Sequence, residues 1–394
     1  KNDELVSSLR QSEVALQEKT KRLERACKTA QQFVDNVSHE FRTPLTVITE
    51  YASLLADSVA GPVNEEQAKL LGVIDDRASD LNNMVDDMLD VSRLESGLLG
   101  ATRKSCSIRD IIDHVMPAIR RKAVVRDAAL NVQVSPGLQD VFCDDEKVGR
   151  VIVNLALNAI KFSGDPGCVD ILAESGPRGE AVVSVSDNGI GIPPERQKEI
   201  FRRFSQIKTA LQDSTKGFGL GLNIAQELVD INLGSMSLSS VEGKGSTFSF
   251  TVPINHPKLV IEKFIRWLGA DSENPGTLSA FRVLLDRHRD QNASQDVQLF
   301  LANLIRQNDL VLPMPDGQWL LLISSPTRIL DPFLDRLESE RKRFNRNRPR
   351  GPLPLFHLDL AGTWELDHDR DEIIDTLGYL FERQERRKRE LATV

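Results

Sequence analysis

The first hundred residues repeat apolar side chains at helical spacing. Apolar residues recur every seven positions and are separated by Gln, Glu, Lys and Arg: Leu9, Leu16, Leu23, Ala30 and Val37. A seven-residue apolar repeat is typical of a coiled coil. We therefore predict a signalling coiled-coil helix over residues 1–30 that continues into the next segment and self-associates.

A second helix is predicted after Gly61-Pro62, a pair that interrupts helical backbone. Asn64 and Gln67 have the three-residue spacing of a capping box. The apolar stripe behind them runs to about Leu98: Leu71, Ile74, Ala78, Leu81, Val85 and Met88. One antiparallel helical hairpin cannot bury both stripes, whereas two copies form a four-helix bundle. Residues 31–104 are thus predicted as an all-α dimerisation domain.

From about Ser107 the pattern changes to α+β. Helices are predicted over 108–121 and 145–162, and Gly243-Lys244-Gly245 has the composition of a hairpin turn. The predicted strands are 130–134, 169–173, 181–187, 237–240 and 247–252. Residues 105–256 are therefore predicted as an α+β sandwich, and residues 257–394 as a smaller α/β or α+β domain.

Composition narrows the class of protein. The net charge of −8 over 394 residues argues against a protein that binds nucleic acid as a whole. The four cysteines have neither CxxC nor zinc-site spacing. No apolar run approaches the roughly 20 residues of a membrane span. We expect a soluble, cytoplasmic part of a longer protein, with any membrane or sensor domain in a region that precedes it.

A histidine motif stands in the first predicted helix, within Ser38-His39-Glu40-Phe41-Arg42-Thr43-Pro44-Leu45. Pro44 has no N–H to donate to the Glu40 carbonyl, and its ring crowds that carbonyl, so a kink is expected. An ordinary helical histidine that titrates near neutrality is the alternative interpretation.

Two asparagines and a lysine share one face of the 145–162 helix. Asn154, Asn158 and Lys161 are spaced by four and three residues. Asparagine is unfavourable inside a helix, because its amide competes for backbone hydrogen bonds. A carboxamide oxygen is a suitable ligand for Mg²⁺, and a lysine can neutralise phosphate charge. The alternative, two asparagines that cap local turns, fits poorly with the apolar pattern around them.

Two glycine-rich motifs follow. Asp187-Asn188-Gly189-Ile190-Gly191-Ile192-Pro193 ends a Val-rich strand, where an acid can accept the exocyclic amine of adenine and glycines let backbone approach the base. Gly217-Phe218-Gly219-Leu220-Gly221-Leu222 precedes a helical run, and glycines before a helix N-terminus bind phosphate. A plain Asx turn remains an alternative for the first motif.

These motifs occur in one order. Asn158, DNGIGIP, IFRRF, GFGLGL and Gly243-Lys-Gly-Ser-Thr-Phe248 resemble the N, G1, F, G2 and G3 boxes of the GHKL ATP-binding fold in its histidine-kinase branch. The stretch around His39 resembles the phosphoacceptor box of sensor histidine kinases. Ser246-Thr247 is a departure, since a Thr-x-Phe pattern is more usual. The resemblance covers about residues 31–255.

The resemblance implies an activity. His39 would attack the γ-phosphate of Mg-ATP, Glu40 would accept or orient the imidazole proton, and Thr43 would help to orient a water that hydrolyses the phosphorylated partner. The implied partners are a second copy of the chain, as a homodimer, and the receiver domain of a response regulator. The residues implied to hold ATP are Asn154, Asn158, Lys161, Asp187, Gly189, Gly191, Gly217, Gly219, Gly221 and Thr247, with Asn158 as the Mg²⁺ ligand. A GHKL ATPase clamp or a scaffold without phosphotransfer is the alternative function.

The last block resembles a degenerate diguanylate cyclase (GGDEF) domain. Strand-like Phe281–Leu285 is followed by Asp286, a helical stretch and two further strand-like runs. Pro315–Trp319 stands in the place of the signature and lacks its glycine pair and catalytic acids. An unrelated α/β regulatory domain remains open as the alternative. We expect residues 257–394 to fold on their own and to regulate or bind rather than catalyse.

Overall fold

The computed structural model describes residues 19, 29, 36–38, 40–95, 100–202, 219–270, 276–285, 291–325, 330–346, 348 and 351–392. They belong to two compact units. The first comprises the described parts of 1–99 and 202–224, and the second those of 100–201 and 225–394. Apart from residues 19 and 29, the predicted coiled coil over 1–30 lies outside the described residues.

The first unit contains a helical hairpin. Helix α1 covers residues 36–38 and 40–56, and α2 covers Glu65–Glu95. The backbone N–H of Asn64 donates to Oε1 of Gln67 (2.9 Å), and the N–H of Gln67 donates to Oδ1 of Asn64 (2.8 Å). This reciprocal pair confirms the predicted capping box, which satisfies two donors that a helix start leaves unpaired.

The two helices run antiparallel. The Arg42 guanidinium, near the start of α1, contacts the Asp86 carboxylate in the far half of α2 at 2.7 Å. Both side chains are nearly half exposed, so the pair contributes at most about 1 kcal/mol. Residues 40–56 are helical throughout, including Pro44. Large apolar side chains nevertheless remain exposed on both helices: Phe41, Val47, Ile48, Tyr51, Leu54, Leu55, Leu70, Val73, Ile74, Leu81 and Met88.

Residues 100–256 form a mixed sheet with helices packed against it. The helices are α3 (Ile108–Val125), α4 (Asp145–Phe162) and α5 (Gly221–Asp230). The strands are β1 (Lys104–Cys106), β2 (Ala128–Val134), β3 (Val141–Cys143), β4 (Gly167–Ser175), β5 (Glu180–Asp187), β6 (Met236–Val241) and β7 (Gly245–Pro253). The five-stranded sheet has the order β2-β4-β5-β7-β6, with β2 and β4 parallel and the other neighbours antiparallel. Strands β1 and β3 pair separately.

Side-chain alternation decides which face of this sheet is covered. In β5, Ala181, Val183 and Val185 are buried, whereas Ser184 and Ser186 lie on the opposite face and bond to hydroxyls of β7. Helices α3 and α4 pack against each other, and α4 also packs against β4 and β5. The result is the predicted α+β arrangement, with one apolar face under the helices.

Residues 257–394 form a second, four-stranded sheet. The elements are α6 (Pro257–Ala270), β8 (Thr277–Leu285), α7 (Gln291–Leu304), β9 (Leu310–Met314), β10 (Gln318–Ser325), α8 (Asp331–Arg346), β11 (Phe356–Glu365) and α9 (Arg370–Ala392). The strand order β11-β8-β10-β9 is antiparallel throughout. The run β8-α7-β9-β10-α8-β11 therefore has ferredoxin-like β-α-β-β-α-β topology.

Helices cover both faces of this sheet. Phe300 of α7 and Phe333 of α8 belong to the apolar cluster on one face. Phe264 of α6 and Leu377 of α9 belong to the cluster on the other face. Helix α9 also packs against the turn Pro315–Gly317 that joins β9 to β10. Asp286 lies outside the described residues.

The core of residues 257–394 continues into residues 100–256. Phe142 of β3 and Leu233, just after α5, belong to the same buried cluster as Val260 and Phe264 of α6. Phe142 and Phe264 are fully buried. Separating the two parts would expose apolar surface on both, which is unfavourable. This shared core argues against the expectation that residues 257–394 fold on their own.

A buried ion pair accompanies the shared core. Lys263 Nζ of α6 lies 2.5 Å from a carboxylate oxygen of Glu180 in β5, and the side chains are only 17% and 12% exposed. The adjacent Gly179, with φ of +67°, leaves no room for a Cβ because Leu259 of α6 packs against it.

Among the described residues, no helix is both long enough and apolar enough to cross a membrane.

Candidate functional site

The asparagine pair lies on α4, whose start is fixed by Asp144. The Asp144 side chain accepts from the Lys147 N–H (3.1 Å) and caps the helix. Further along, Nδ2 of Asn158 donates to Oδ1 of Asn154 at 3.0 Å, so the two amides share a face as their spacing predicts. This bond uses the nitrogen of Asn158 and leaves its oxygen, the harder atom, to bind a cation.

Lys161 belongs to the last turn of α4. Its Nζ lies 5.1 Å from the centroid of the Phe162 ring, a cation–π geometry. The ring thereby holds the ammonium beside the C-terminal end of the helix, where the helix dipole favours positive charge.

Asp187 ends β5 in the middle of the sheet. It pairs with Val169 of β4 on one side and with Ser246 of β7 on the other. Its Oδ1 accepts from the N–H of Gly189 at 2.8 Å. Burial raises the pKa of the Asp187 carboxyl above its ordinary value of 3.8, and backbone hydrogen bonds from Gly189 and Ser246 offset part of that effect.

The raised pKa predicts a pH dependence for nucleotide affinity. Only ionised Asp187 accepts the amine of adenine with full charge, so affinity should fall as the pH decreases through the pKa of the free protein. Because that pKa lies above 3.8, the loss should begin at higher pH than for an exposed aspartate. Calorimetric titration with ATP over a pH series measures it. In the Asp187→Asn protein this step should be absent, although titration of the adenine itself remains.

Close backbone contacts join three elements around Asp187. A Cβ on Gly189 would overlap the carbonyl oxygen of Phe162, the last residue of α4. A Cβ on Gly191, where φ is +64°, would overlap the carbonyl oxygen of Val241 at the β6–β7 turn. Glycine is required at both positions, because any side chain would separate these elements. The end of α4 is thus held against the loop that follows Asp187.

Asn188 is a residue of this loop that the sequence analysis did not single out. Its Oδ1 accepts from the N–H groups of Gly164 (3.2 Å) and Cys168 (2.9 Å), and its Nδ2 donates to the Pro166 carbonyl (2.7 Å). The side chain therefore fixes the loop between α4 and β4. An asparagine next to a glycine is typical of loops in which a side chain bonds to nearby backbone groups. The Asn188-Gly189 pair was therefore the sequence signal that could have identified this residue.

Thr247 and Ser246 are neighbours on β7 whose side chains point to opposite faces of the sheet. Thr247 pairs with Ser186 and its Oγ1 lies 2.9 Å from the Ser186 Oγ, on the face of the sheet opposite to Asp187. Ser246 pairs with Asp187, is buried, and shares its face because alternate residues of a strand point to opposite sides. Ser246 is therefore the hydroxyl on the same face as Asp187, and the nucleotide-binding role of Thr247 stays a prediction.

The second glycine motif is described in part. Gly219 has φ of +71°, a conformation that favours glycine, and Gly221 is the first residue of α5. Gly217 lies outside the described residues. Phe201 contacts Phe248 of β7 edge to face, with ring centroids 6.3 Å apart.

The phosphoacceptor motif is also described in part. Glu40 and Thr43 are exposed on α1, and Ser38 is buried. His39 itself lies outside the described residues. Exposure leaves the Glu40 carboxylate and the Thr43 hydroxyl accessible to a substrate or a partner.

Two protein families match these two regions. Residues 29–97 match the His Kinase A (phospho-acceptor) domain. Residues 143–256 match the family described as histidine kinase-, DNA gyrase B-, and HSP90-like ATPase. The first range contains Glu40 and Thr43, and the second contains Asn158, Asp187 and Gly219.

Curated relatives agree with both matches. The chain is 32% identical to the non-motile and phage-resistance protein of Caulobacter vibrioides, over 59% of this chain and 28% of the relative. It is 32% identical to the circadian input-output histidine kinase CikA of Synechococcus elongatus (56% and 30%) and to the signal transduction histidine-protein kinase BarA of Escherichia coli (61% and 27%). The chain thus spans less than a third of the length of each of these relatives. Residues 29–97 and 143–256 thus match the phospho-acceptor and ATPase domains that occur in histidine kinases.

Proposed function

We propose that the chain is an ATP-dependent protein histidine kinase that phosphorylates His39. The observation that carries this proposal is the half-buried Asp187 carboxylate at the end of β5, close to the end of the helix that bears Asn158. The other unit of the chain contains the phosphoacceptor motif. Residues suited to bind adenine and Mg²⁺ on one unit, and a histidine motif on the other, fit a transfer of phosphate from the nucleotide to the histidine.

Asp187 is proposed to recognise adenine. Its carboxylate accepts hydrogen bonds; burial raises its pKa, and backbone hydrogen bonds from Gly189 and Ser246 oppose that shift. Ile192 in the loop after Asp187 and Phe248 on the neighbouring strand β7 are both buried, and they supply apolar surface for a base. Gly189 and Gly191 let the loop backbone pack without side chains in the way.

Asn158 is proposed to hold Mg²⁺ through Oδ1, with Asn154 orienting its amide through the 3.0 Å hydrogen bond. No three His, Cys, Asp or Glu side chains converge into a metal cluster within the described ranges. A cation here would therefore take its other ligands from phosphate and water, as Mg²⁺ commonly does. When bound, Mg²⁺ neutralises phosphate charge.

His39 is proposed as the nucleophile. A neutral imidazole nitrogen attacks the γ-phosphorus of ATP while the bond to the β-γ bridging oxygen breaks, and ADP leaves. Glu40 is proposed to accept or orient the imidazole proton. The phosphoryl group would then pass to an aspartate of a response regulator, and Thr43 with Glu40 would orient a water that later hydrolyses that aspartyl phosphate.

A homodimer is part of the proposal. The α1–α2 hairpin leaves large apolar side chains exposed on both helices, among them Tyr51 at 64% and Leu70 at 61%. Burying such surface is favourable by about 25 cal/mol per Å². A second hairpin would cover it in a four-helix bundle.

Asn158→Ala should remove Mg²⁺-dependent nucleotide binding without unfolding the chain, because the half-buried amide is replaced by a good helix former. The measurement is ATP affinity by calorimetry with Mg²⁺ and with EDTA. Asn131→Ala, an exposed amide on β2 of the same sheet, is the matched control. An unchanged effect of Mg²⁺ in the Asn158 variant would contradict the ligand role.

Thr43→Ala should separate two activities. Histidine, acid and nucleotide site are retained, so autophosphorylation should persist. The lost hydroxyl should slow hydrolysis of the phosphorylated receiver domain by up to about 10²-fold, the effect of losing a positioning group. Thr46→Ala, one turn away with its hydroxyl bonded to the Arg42 carbonyl, is the control. Dephosphorylation at the wild-type rate would make Thr43 an ordinary helix residue.

A clamp-type ATPase is the second candidate. Such an enzyme hydrolyses ATP and retains no phosphate on the polypeptide. The phosphoacceptor match over residues 29–97 favours the kinase. Retention of the γ-phosphate on the denatured chain separates the two functions.

A further inference from the structure

The segment that leads from α2 towards β1 contains two buried residues. We call residues 100–103 the coupling segment. Ala101 is only 4% exposed and Arg103 only 9%, although neither belongs to a helix or a strand. Connecting segments usually run over the surface, so burial of this one needs partners for its polar groups.

On one side the coupling segment holds the start of α4. The N–H of Thr102 donates to Oδ2 of Asp144 at 2.9 Å, and Asp144 caps α4 through its other oxygen. The N–H of Asp144 in turn donates to Oδ1 of Asn232, just after α5, at 2.7 Å. The side chain of Asn232 donates to the Leu228 carbonyl of α5 at 2.7 Å. These bonds join the coupling segment to the ends of two helices.

Arg103 holds the end of α5 directly. Its guanidinium donates from Nε to the carbonyl oxygen of Ile231 at 2.8 Å, with a second bond from Nη2 to the same oxygen. Burial lowers the pKa of Arg103 to about 10, and the charge of Asp144 opposes that shift, so the side chain remains charged at neutral pH. A cation at the C-terminal end of a helix is favoured by the helix dipole.

On the other side the coupling segment meets residues 257–394. A cleft is lined by residues 101–103 together with side chains from α7, β9 and β10: Gln298, Ala302, Ile305, Leu310, Val311, Pro313 and Trp319. A Cβ on Gly100 would be in ordinary contact with the Ile305 carbonyl oxygen. Phe142 and Leu233 belong to the core shared with α6. In the chain, Phe142 directly precedes Cys143-Asp144, and Leu233 directly follows Asn232.

We propose that the coupling segment transmits the state of residues 257–394 to the nucleotide helices α4 and α5, with Arg103 as the positioning residue. The segment holds the start of α4 and the end of α5, whereas Asn158 and Gly221 lie towards the opposite ends of these two helices. Each helix is a rigid element that carries a displacement from the held end to the nucleotide residue. A partner or ligand that moves residues 257–394 therefore changes how the nucleotide is presented to His39. The inference rests on the proposed kinase function.

Residues 257–394 act here by packing and not by cyclase chemistry. Helix α9 covers the Pro315–Gly317 turn, where the resemblance places the signature of a cyclase. The helix contributes Leu377 and Phe381 to the same cluster as Met314, so the turn is fixed in the apolar core.

The first test places a carboxylate in the cleft of the full-length chain. Ala302→Glu should accelerate amide hydrogen exchange in residues 100–106 and 225–233. It should change the rate of His39 phosphorylation by at least about fivefold, the lower end of usual coupling between sites. Leu299→Glu, on the exposed side of the same helix, is the control and should change neither quantity.

The second test uses Arg103. Arg103→Met should accelerate amide exchange at residues 225–233 and change the phosphorylation rate. Arg103→Lys should have a smaller effect on both quantities, because it keeps a charged donor. Arg282→Met, which removes a partly exposed arginine paired with Asp359, is the control. The effects of Arg103→Met and Ala302→Glu on rate should not add, since both act through one segment.

Three results would overturn the inference: unchanged exchange and rate in Ala302→Glu, additive effects in the double variant, or a full effect in the Leu299 control. If Ala302→Glu lowers the thermal unfolding midpoint sharply, Gln298→Glu, an isosteric change in the same cleft, replaces it. Hydrogen exchange requires no catalysis. A chain without kinase activity whose exchange still couples α7 to residues 225–233 would overturn the proposed function and retain the coupling.

Discussion

Replacing His39 with glutamine is expected to abolish stable phosphorylation of the chain and to leave ATP affinity within about twofold of the wild type, as for independent sites. The reason is that Asp187 and Asn158, the residues proposed to bind adenine and Mg²⁺, belong to a different unit from the nucleophile. Glutamine keeps a polar side chain of similar length and has no nitrogen lone pair able to attack phosphorus. Incorporation of ³²P from γ-labelled ATP and calorimetric ATP affinity measure the two quantities.

His114→Gln is the matched control for that experiment. His114 is an exposed histidine of α3, within the nucleotide-binding domain. Its replacement should change neither labelling nor affinity. Label that survives on the His39→Gln protein would contradict the assignment of the phosphoacceptor.

Asp187→Asn has the second largest expected effect. A hydrogen bond to a charged group contributes about 1.5–3 kcal/mol, so ATP affinity should fall by roughly 10- to 10²-fold. The change keeps the volume of the side chain and an oxygen that can accept from Gly189. The thermal unfolding midpoint should therefore change little. Calorimetry at neutral pH measures the affinity.

Asp170→Asn is the control for Asp187. Asp170 is an exposed carboxylate on the adjacent strand β4, where it accepts from Nδ2 of Asn131 at 2.8 Å. Its replacement removes the same charge from the same sheet and should leave ATP affinity unaltered. Equal losses in the two variants would show that net charge, and not contact with adenine, explains the effect.

Elements with strong local patterns were predictable from the sequence. The limits of α4, Asp145–Phe162, agree with the prediction, since Asp144 caps the helix and a 3.6-residue apolar period follows. The capping box of α2 was also readable, because both of its bonds lie within four residues. Contiguous motifs, such as the one around Asp187, likewise allowed candidate site residues to be named from the sequence.

Features that depend on distant partners were not predictable. Strands β1 and β3 have three residues each, too few for an alternating pattern, and form only because they pair with each other. The difference between Ser246 and Thr247 depends on the register of β7 against β5. A shift of one residue turns a side chain to the other face of the sheet.

The shared core is the largest departure. Phe142 and Val260 are more than a hundred residues apart in the chain and become neighbours in one buried cluster. Arg103 is likewise an ordinary basic residue beside Lys104 in the sequence, and only its contact with Ile231, 128 residues away, explains its burial. Local apolar patterns identify elements and do not identify which distant element covers them.

The most direct test of the account is the stability of the phosphate that the wild-type chain takes from γ-labelled ATP in the presence of Mg²⁺. A phosphoramidate on His39 is cleaved in acid and survives in alkali, because protonation of the ring makes it a good leaving group. The account predicts a label on the denatured chain that is lost in acid and retained in alkali. Release of all label as inorganic phosphate, or a label that is stable in acid, would contradict a histidine kinase.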